Sequence, residues 1–144
     1  MEQVDEKLRA VTVILRAAQS IEDVVRKDVA RYGLNTTEFA VLEALYHKGR
    51  LPIQLIGKKI LIASSSITYV VDKLEKKQLI CRSGCANDRR ITYASLTEQG
   101  HTLMNDIFPK HKEKMAQLFD GVEEQSLYNM NEVLKHIGMK ATSL

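Results

Sequence analysis

Apolar residues recur every three to four positions along the first thirty residues of the chain. They are Val4, Leu8, Val11, Leu15, Ala18, Ile21, Val25 and Val29. This period predicts a long amphipathic helix. Its end is predicted near Tyr32-Gly33, because glycine readily takes the left-handed conformation of a helix C-cap. A stripe of this length is typical of a helix that packs against another long helix.

Two shorter helices are predicted next. Asn35 and Glu38 have the spacing of a capping box, which starts a helix that stops at Gly49. Pro52 then opens a second helix, in whose first turn the missing N–H costs no hydrogen bond. The predicted buried residues are Phe39, Leu42, Leu45 and Tyr46 in the first helix and Ile53, Ile56 and Ile60 in the second.

A serine-rich break at Ala63–Ser66 precedes another helix, in which Ile67, Val70, Val71 and Leu74 share one face. A helix, a tight joint and a second amphipathic helix form the pattern of a helix-turn-helix. The joint and the other face carry short polar or cationic side chains, which suit a DNA major groove. The candidate DNA-binding residues are Ser64, Ser65, Ser66, Thr68, Tyr69, Lys73 and Lys76. An ordinary solvent-facing helix has the same composition, so the helix alone leaves both interpretations open.

The period then changes to that of β-strands. Residues 79–82 are short and mostly apolar, and residues 91–96 are rich in β-branched side chains. The segment between them holds turn-forming residues and two arginines, which predicts a hairpin with a cationic tip. Arginine at such a tip suits a narrow, negative minor groove. The candidate DNA-binding residues of the tip are Asn87, Asp88, Arg89 and Arg90.

The last third of the chain is predicted to be helical. Thr97 can cap a helical region with a kink at Pro109, and Leu127, Met130, Leu134 and Ile137 form a further apolar stripe. The predicted fold is therefore mainly α (α+β), a single domain over 1–144 with a winged helix-turn-helix at 35–97. Residues 1–33 and 98–144 are predicted to be dimerisation helices.

Charge is distributed unevenly along the chain. The chain has 144 residues, 44% hydrophobic, and a net charge of +3, which is enough for one domain with a core. Residues 47–96 hold ten basic and three acidic residues, a net +7, so the remainder carries −4. A basic centre between acidic flanks favours a polyanionic partner, here double-stranded DNA, although a solvated lysine-rich surface has the same charge.

Several protein classes are disfavoured by the sequence. The N-terminus is charged and no apolar run approaches the roughly 18 residues of a spanning helix, which predicts a cytoplasmic protein without membrane contact. The histidines fit no triad, metal-binding helix or phosphate loop, so neither an enzyme nor a cofactor or metal site is expected. Cys81 and Cys85 offer two ligands where structural zinc takes four. A thiol- or metal-responsive regulator using these cysteines remains an alternative, as does a winged helix that contacts only other proteins.

The order of elements resembles the MarR family of multiple-antibiotic-resistance-type regulators over essentially the whole chain. The most specific motifs are Asp88-Arg89-Arg90 and the Leu-Thr-x-x-Gly of residues 96–100. The resemblance implies a transcriptional repressor that binds a pseudo-palindromic operator as a homodimer through its terminal helices. It also implies that Arg90 enters the minor groove, that Asp88 orients it and that Arg89 contacts a phosphate.

The chain departs from the family pattern in two places. Gln78 stands where the family commonly has glycine, so it adopts a left-handed conformation with modest strain or the turn differs. No cysteine precedes Cys81, which disfavours the peroxide-sensing branch with its reactive cysteine in the first helix. The serine-rich joint and Phe108–His111 look more like members that respond to phenols and quinones. The resemblance therefore implies a small aromatic effector, whose binding residues are unknown.

Overall fold

The computed structural model describes residues 5–60 and 64–144, with the backbone alone at Ser64 and Ser65. The elements follow in chain order as α1 (Glu6–Ala30), α2 (Thr36–Lys48), β1 (Leu51–Pro52), α3 (Ile53–Lys59), α4 (Ser64–Lys76), β2 (Ile80–Gly84), β3 (Thr92–Leu96), α5 (Glu98–Ala116), a 3-10 turn (Gln117–Phe119) and α6 (Glu124–Ser143). They form two compact units, Met1–His111 and Lys112–Leu144. The predicted mainly α class with a small antiparallel sheet is confirmed.

The first helix has caps at both ends. The Asp5 carboxylate accepts hydrogen bonds from the backbone N–H groups of Lys7 and Leu8, at 2.9 and 3.2 Å. The C-terminal end unwinds through Gly33, whose φ of +77° is the left-handed conformation that the sequence predicted. Only the end of α1, at Asp28 and Val29, is buried.

The capping box at the start of α2 is also present. The Glu38 backbone N–H donates to Asn35 Oδ1 at 2.7 Å, and the Asn35 backbone N–H donates to Glu38 Oε1 at 3.0 Å. The second Glu38 oxygen accepts from Lys77 Nζ at 2.8 Å. Burial alone would raise the pKa of Glu38, but the hydrogen bonds from Lys77 and Asn35 and the charges of Lys77 and Lys73 together lower it. An ionised Glu38 thus joins the end of α4 to the start of α2.

The helix-turn-helix region differs from the prediction at two boundaries. Pro52 belongs to a short strand and is the N-cap of α3, rather than part of the first turn of that helix. Residues 64–66 form the first turn of α4, where the sequence predicted a non-helical break. Both corrections have the same cause. Strand pairing at residues 51–52 and the helical conformation of residues 64–66 do not depend on the local hydrophobic period alone. Ala63, the first residue of the predicted break, lies outside the described residues.

A three-stranded antiparallel sheet completes the first unit, in the order β1-β3-β2. Ile80 pairs with Leu96 and Gly84 with Thr92, so the β2–β3 hairpin is in register throughout. Leu51 pairs with Ala94, which places β1 on the other edge of β3. We call residues 80–96 the wing and residues 85–91 the wing tip.

The Leu-Thr-x-x-Gly motif fastens the base of the wing to α5. The Thr97 hydroxyl donates to the Gln78 carbonyl at 2.6 Å and accepts from the Gly100 N–H at 3.0 Å, and so caps α5. Gln78 takes a φ of +65°, the left-handed conformation for which the family commonly has glycine. Gly100 has no room for a side chain, because a Cβ there would lie 2.1 Å from the Leu79 carbonyl oxygen.

One buried polar pair joins the first helix to α5. His111 Nδ1 lies 2.9 Å from Asp28 Oδ2, and both side chains are at most one-tenth exposed. The Phe39 ring packs against the imidazole with its centroid at 4.5 Å. α5 continues as one helix through Pro109. The pair therefore fixes where the end of α1 sits on α5.

The second unit consists of the end of α5, the 3-10 turn and α6. Within α6 no residue is buried, although its apolar stripe includes Leu134 and Ile137. In the first unit, the apolar face of α1 is likewise exposed from Leu8 to Ile21. Contiguous exposed apolar stripes of this kind are typical of interaction surfaces.

We expect Gly100→Ala to lower the free energy of unfolding by about 1–3 kcal/mol, since the added methyl group must push backbone away from backbone. Urea denaturation at fixed protein concentration measures it. Gly138→Ala is the matched control, because Gly138 lies in a helix and a methyl group added there would point into open space, so alanine is neutral or stabilising. Equal stability of the two variants would contradict the close approach of α5 to Leu79.

Candidate nucleic-acid interface

The two faces of α4 are sharply different. Ile67, Val71 and Leu74 are completely buried and Val70 nearly so. The predicted DNA-facing residues whose side chains are described all lie on the exposed side: Ser66, Thr68, Tyr69, Lys73 and Lys76. Tyr69 is 66% exposed in spite of its large ring. The core thus leaves α4 with an exposed strip of hydroxyl, phenol and ammonium groups.

Ser64 and Ser65 lie in the first turn of α4, and their side chains are outside the described residues. The first N–H groups of a helix have no partner within it. They also sit at the positive end of the helix dipole. The start of α4 is therefore suited to an anionic group such as a DNA phosphate.

The wing tip is built as a series of tight turns. The Cys85 N–H donates to the Ile91 carbonyl and the Ile91 N–H donates to the Asp88 carbonyl, both at 3.2 Å. These bonds close the tip and leave Asn87 and Arg89 exposed. The four candidate residues 87–90 therefore lie together at the end of the hairpin, as the sequence predicted.

Asp88 and Arg90 form a two-pronged ion pair at the tip. Arg90 Nε donates to Asp88 Oδ1 at 3.1 Å and Arg90 Nη2 donates to Oδ2 at 3.2 Å. The Arg90 backbone N–H also donates to Oδ1, at 3.0 Å. The hydrogen bonds from the Arg90 side chain and backbone lower the pKa of Asp88. Arg90 nevertheless stays 91% exposed, so its guanidinium is oriented by one carboxylate and open to a second anion.

A second arginine connects the wing to α4. From β2, Arg82 donates to Asp72 and, at 2.9 Å, to Glu75, both on α4. Burial alone would lower the pKa of Arg82, but the hydrogen bonds and charges of the two carboxylates raise it. Sequence reasoning counted these three residues as charges and missed the contact. The sequence signal for this contact was weak, because only the alternation of side chains along β2 places Arg82 on the face of the strand towards α4.

Most of the basic residues of positions 47–96 have no acidic partner among the described residues. Asp72, Glu75 and Asp88 are the three acids of residues 47–96, and each pairs with Arg82 or Arg90. Within the described residues, no ion pair involves Lys58, Lys59, Lys73, Lys76 or Arg89. Unpaired cations around α4 and the wing attract the phosphates of a nucleic acid.

The two cysteines lie in the wing. Cys81 is exposed, with its Sγ 3.4 Å from Ser95 Oγ, and Cys85 is half-buried. Among residues 5–60 and 64–144, no three histidine, cysteine or acidic residues form a cluster that could hold a metal ion. In the same ranges, no helix has both the length and the apolar character needed to cross a bilayer.

Comparison with known proteins identifies relatives of this chain. The model of the MarR family matches residues 34–92. The HTH-type transcriptional regulator MhqR of Bacillus subtilis (strain 168) is 48% identical over 95% of this chain and 94% of that protein.

Two solved structures share the fold. Sco3205, a MarR family transcriptional regulator from Streptomyces coelicolor in complex with DNA, has a TM-score of 0.88 at 22% identity, covering 97% of this chain and 94% of that one. BpsR from Bordetella bronchiseptica, whose DNA binding is regulated by 6-hydroxynicotinic acid, has a TM-score of 0.79 at 21% identity, covering 90% and 98%. The named relatives are regulators rather than enzymes. Because MhqR aligns at 48% identity along nearly all of both chains, this protein belongs to the MarR family and is a DNA-binding transcriptional regulator.

Proposed function

We propose that this regulator is a homodimeric, ligand-responsive repressor that binds a pseudo-palindromic operator. The observation that carries the proposal is the Asp88–Arg90 pair, a guanidinium already oriented at an exposed tip beside an exposed polar helix face. Half-sites about ten base pairs apart would present equivalent grooves to the two copies. Residues 35–97 would read DNA, and residues 1–33 and 98–144 would dimerise.

In this proposal α4 lies in the major groove. Thr68 and Tyr69 project from the exposed face at its N-terminal half, where hydroxyl groups can bond to base edges. Lys73 and Lys76 lie one to two turns later and contact phosphates, which adds affinity without sequence preference. Ser64, Ser65 and Ser66 occupy the first turn, where hydroxyl and backbone N–H groups meet a phosphate.

The wing enters the adjacent minor groove. Arg90 reads the enhanced negative potential of a narrow groove more than base identity. Asp88 holds the guanidinium in one orientation before DNA arrives, which reduces the entropy lost on insertion. Asn87 and Arg89 contact the flanking backbone.

The dimer is supported by the two exposed apolar stripes. A stripe that stays in water loses the free energy gained by burial, about 25 cal/mol per Å² of apolar surface. A second copy offers the same stripes, and two-fold symmetry is the usual way in which they meet. The acidic charge of the terminal segments keeps this surface away from DNA.

The effector we propose is a small aromatic molecule carrying a hydroxyl or carbonyl group, such as a phenol or quinone. Support comes from the family and from BpsR, a protein of this fold that responds to a hydroxylated aromatic acid. A compound that binds better to a dimer whose reading units do not fit successive grooves shifts the population away from DNA.

The effect of removing Asp88 distinguishes two roles for its carboxylate. If Asp88 orients Arg90, its loss weakens DNA binding; if it acts only as a negative charge, its loss strengthens DNA binding. We expect Arg90→Ala to weaken operator binding roughly 5- to 150-fold and to lower the salt dependence by about one unit per subunit. We also expect Asp88→Ala to weaken binding, although it removes a negative charge. Fluorescence anisotropy on an operator selected from random DNA, across a salt series, measures both.

Arg89→Ala is the matched control for the wing, since it removes the same charge from the neighbouring residue. It should weaken operator and unrelated DNA equally. Tighter binding by Asp88→Ala would show that the carboxylate has no orienting role. A wild-type protein that binds no DNA would favour a winged helix for protein contacts.

The dimer predicts twice the mass of one chain in sedimentation at micromolar concentration. Leu134→Arg should give monomers and lose operator binding, because it places a charge within the apolar stripe of α6. His136→Arg, on the opposite side of the same helix, should stay dimeric. A monomeric wild-type protein would contradict both the dimer and the two-fold operator.

The effector class predicts that at least one of a panel of phenols and quinones weakens the operator complex several-fold at millimolar concentration. The double variant Cys81→Ser/Cys85→Ser is the control, because quinones also modify thiols. A response that persists in this variant supports a reversible site. A response lost with the cysteines points to a thiol switch, and no response across the panel excludes this effector class.

A further inference from the structure

Arg50 lies immediately before the first strand of the sheet, rather than on α4 or the wing tip. It follows Gly49, the left-handed residue that ends α2 with a φ of +76°, and precedes β1. Leu51 pairs with Ala94, so β1 brings Arg50 alongside β3. The sequence identified Arg50 only as one of ten basic residues in the middle of the chain.

The Arg50 side chain crosses the sheet from one edge to the other. Its guanidinium carbon lies 3.8 Å from the centroid of the Tyr93 ring on β3. Beyond the ring, Nε donates to Ser83 Oγ at 3.2 Å and Nη2 donates to the Gly84 carbonyl at 3.3 Å, both on β2. A single side chain, immediately before β1, thus contacts both strands of the wing.

The contact lies on the face of the sheet opposite to Arg82. Tyr93 pairs with Ser83, and the next pair along is Ala94 with Arg82. Side chains of successive strand residues point to opposite faces. Arg82 therefore holds the wing to α4 from one face, and Arg50 holds it from the other.

The partners of Arg50 are all uncharged. No ion pair in the described parts of the chain involves Arg50. Stacking of a guanidinium on tyrosine is favourable, and the planar fork matches two acceptors at once. A hairpin of two five-residue strands is marginal by itself, so such a contact limits the angles that the wing can adopt.

We propose that Arg50 is a positioning residue for DNA binding: its contacts with Tyr93, Ser83 and Gly84 set the angle of the wing, so that Arg90 meets the minor groove. This inference rests on the proposed function of the wing. Arg50 acts through Arg90 and contributes no DNA contact of its own. Loss of the clamp leaves the tip intact but lets it sample orientations that miss the groove, which lowers affinity.

A double-mutant cycle tests the coupling. We expect Arg50→Ala to weaken operator binding roughly three- to tenfold in the wild-type background. In the Arg90→Ala background the same change should have no further effect, because the residue that the clamp positions is gone. Equal losses in both backgrounds would mean that Arg50 binds DNA independently, and the proposal would be wrong.

Conservative variants separate the geometry of the clamp from its charge. Arg50→Lys keeps the charge but lacks the guanidinium that bonds to both Ser83 and Gly84, so this variant should bind operator more weakly. Arg90 should still make its DNA contact in the bound state. Tyr93→Phe keeps the ring and should bind like the wild type, whereas Tyr93→Leu should behave like Arg50→Ala. Wild-type affinity in both Arg50→Lys and Tyr93→Leu would overturn the proposal.

Cys85 provides a readout that needs no DNA. It is half-buried next to Gly84, so a looser wing should expose its thiol. In a Cys81→Ser background, we expect Arg50→Ala to increase the rate of modification by a thiol reagent at least several-fold. Lys48→Ala, which removes the same charge from an exposed residue at the end of α2, is the unaffected control. Thermal unfolding of each variant confirms that the core is intact.

An unchanged Cys85 rate in Arg50→Ala would contradict the clamp. If wild-type protein binds no DNA at all, the proposed function fails, but the Cys85 rate still reports on whether Arg50 holds the wing. The two failures are therefore distinguishable.

Discussion

Burial of one face of α4 is the constraint on which the rest of the interface depends. Ile67, Val71 and Leu74 are fully buried against the rest of the first unit, and each such side chain contributes about 1.5–3 kcal/mol of transfer free energy. A rotation of the helix would expose these residues, so the opposite face is held towards solvent. The same orientation places Asp72 and Glu75 beside β2. One hydrophobic contact therefore determines both which polar strip of α4 is exposed and how the wing is attached.

Three arginines near the sheet have the same charge and different surroundings. Arg82 is held by two carboxylates, Arg50 by a tyrosine ring and two neutral oxygens, and Arg90 by one carboxylate at an exposed tip. The first two bind within the protein and shape the wing. The third has the donors and the exposure to bind a further anion. Net charge therefore says little about which arginine meets DNA, whereas the identity of its partner says a great deal.

The two compact units differ in how much of their apolar surface is buried. The first has a core of its own, and its exposed apolar face is on α1. The second has no buried residue in α6, so it gains most from a partner. In the proposed dimer these faces lie in the assembly, and the unpaired cations stay available to the polyanion. The physical division is between apolar area, which drives association, and charge, which drives DNA binding.

The sequence by itself determined the features whose physical cause is local. The period of apolar residues placed the helices, the three-residue spacing of Asn35 and Glu38 predicted the capping box, and Asp88 stands only two residues from Arg90. The start of α4 and the strand at Pro52 were misplaced, because strand pairing and continuation of a helix depend on distant residues. Only the tertiary structure decided which residues of separate elements meet: Lys77 with Glu38, Arg82 with α4, and Arg50 with Tyr93. Short-range partners are limited by a few backbone dihedral angles, whereas these partners meet only after the core has brought separate elements together.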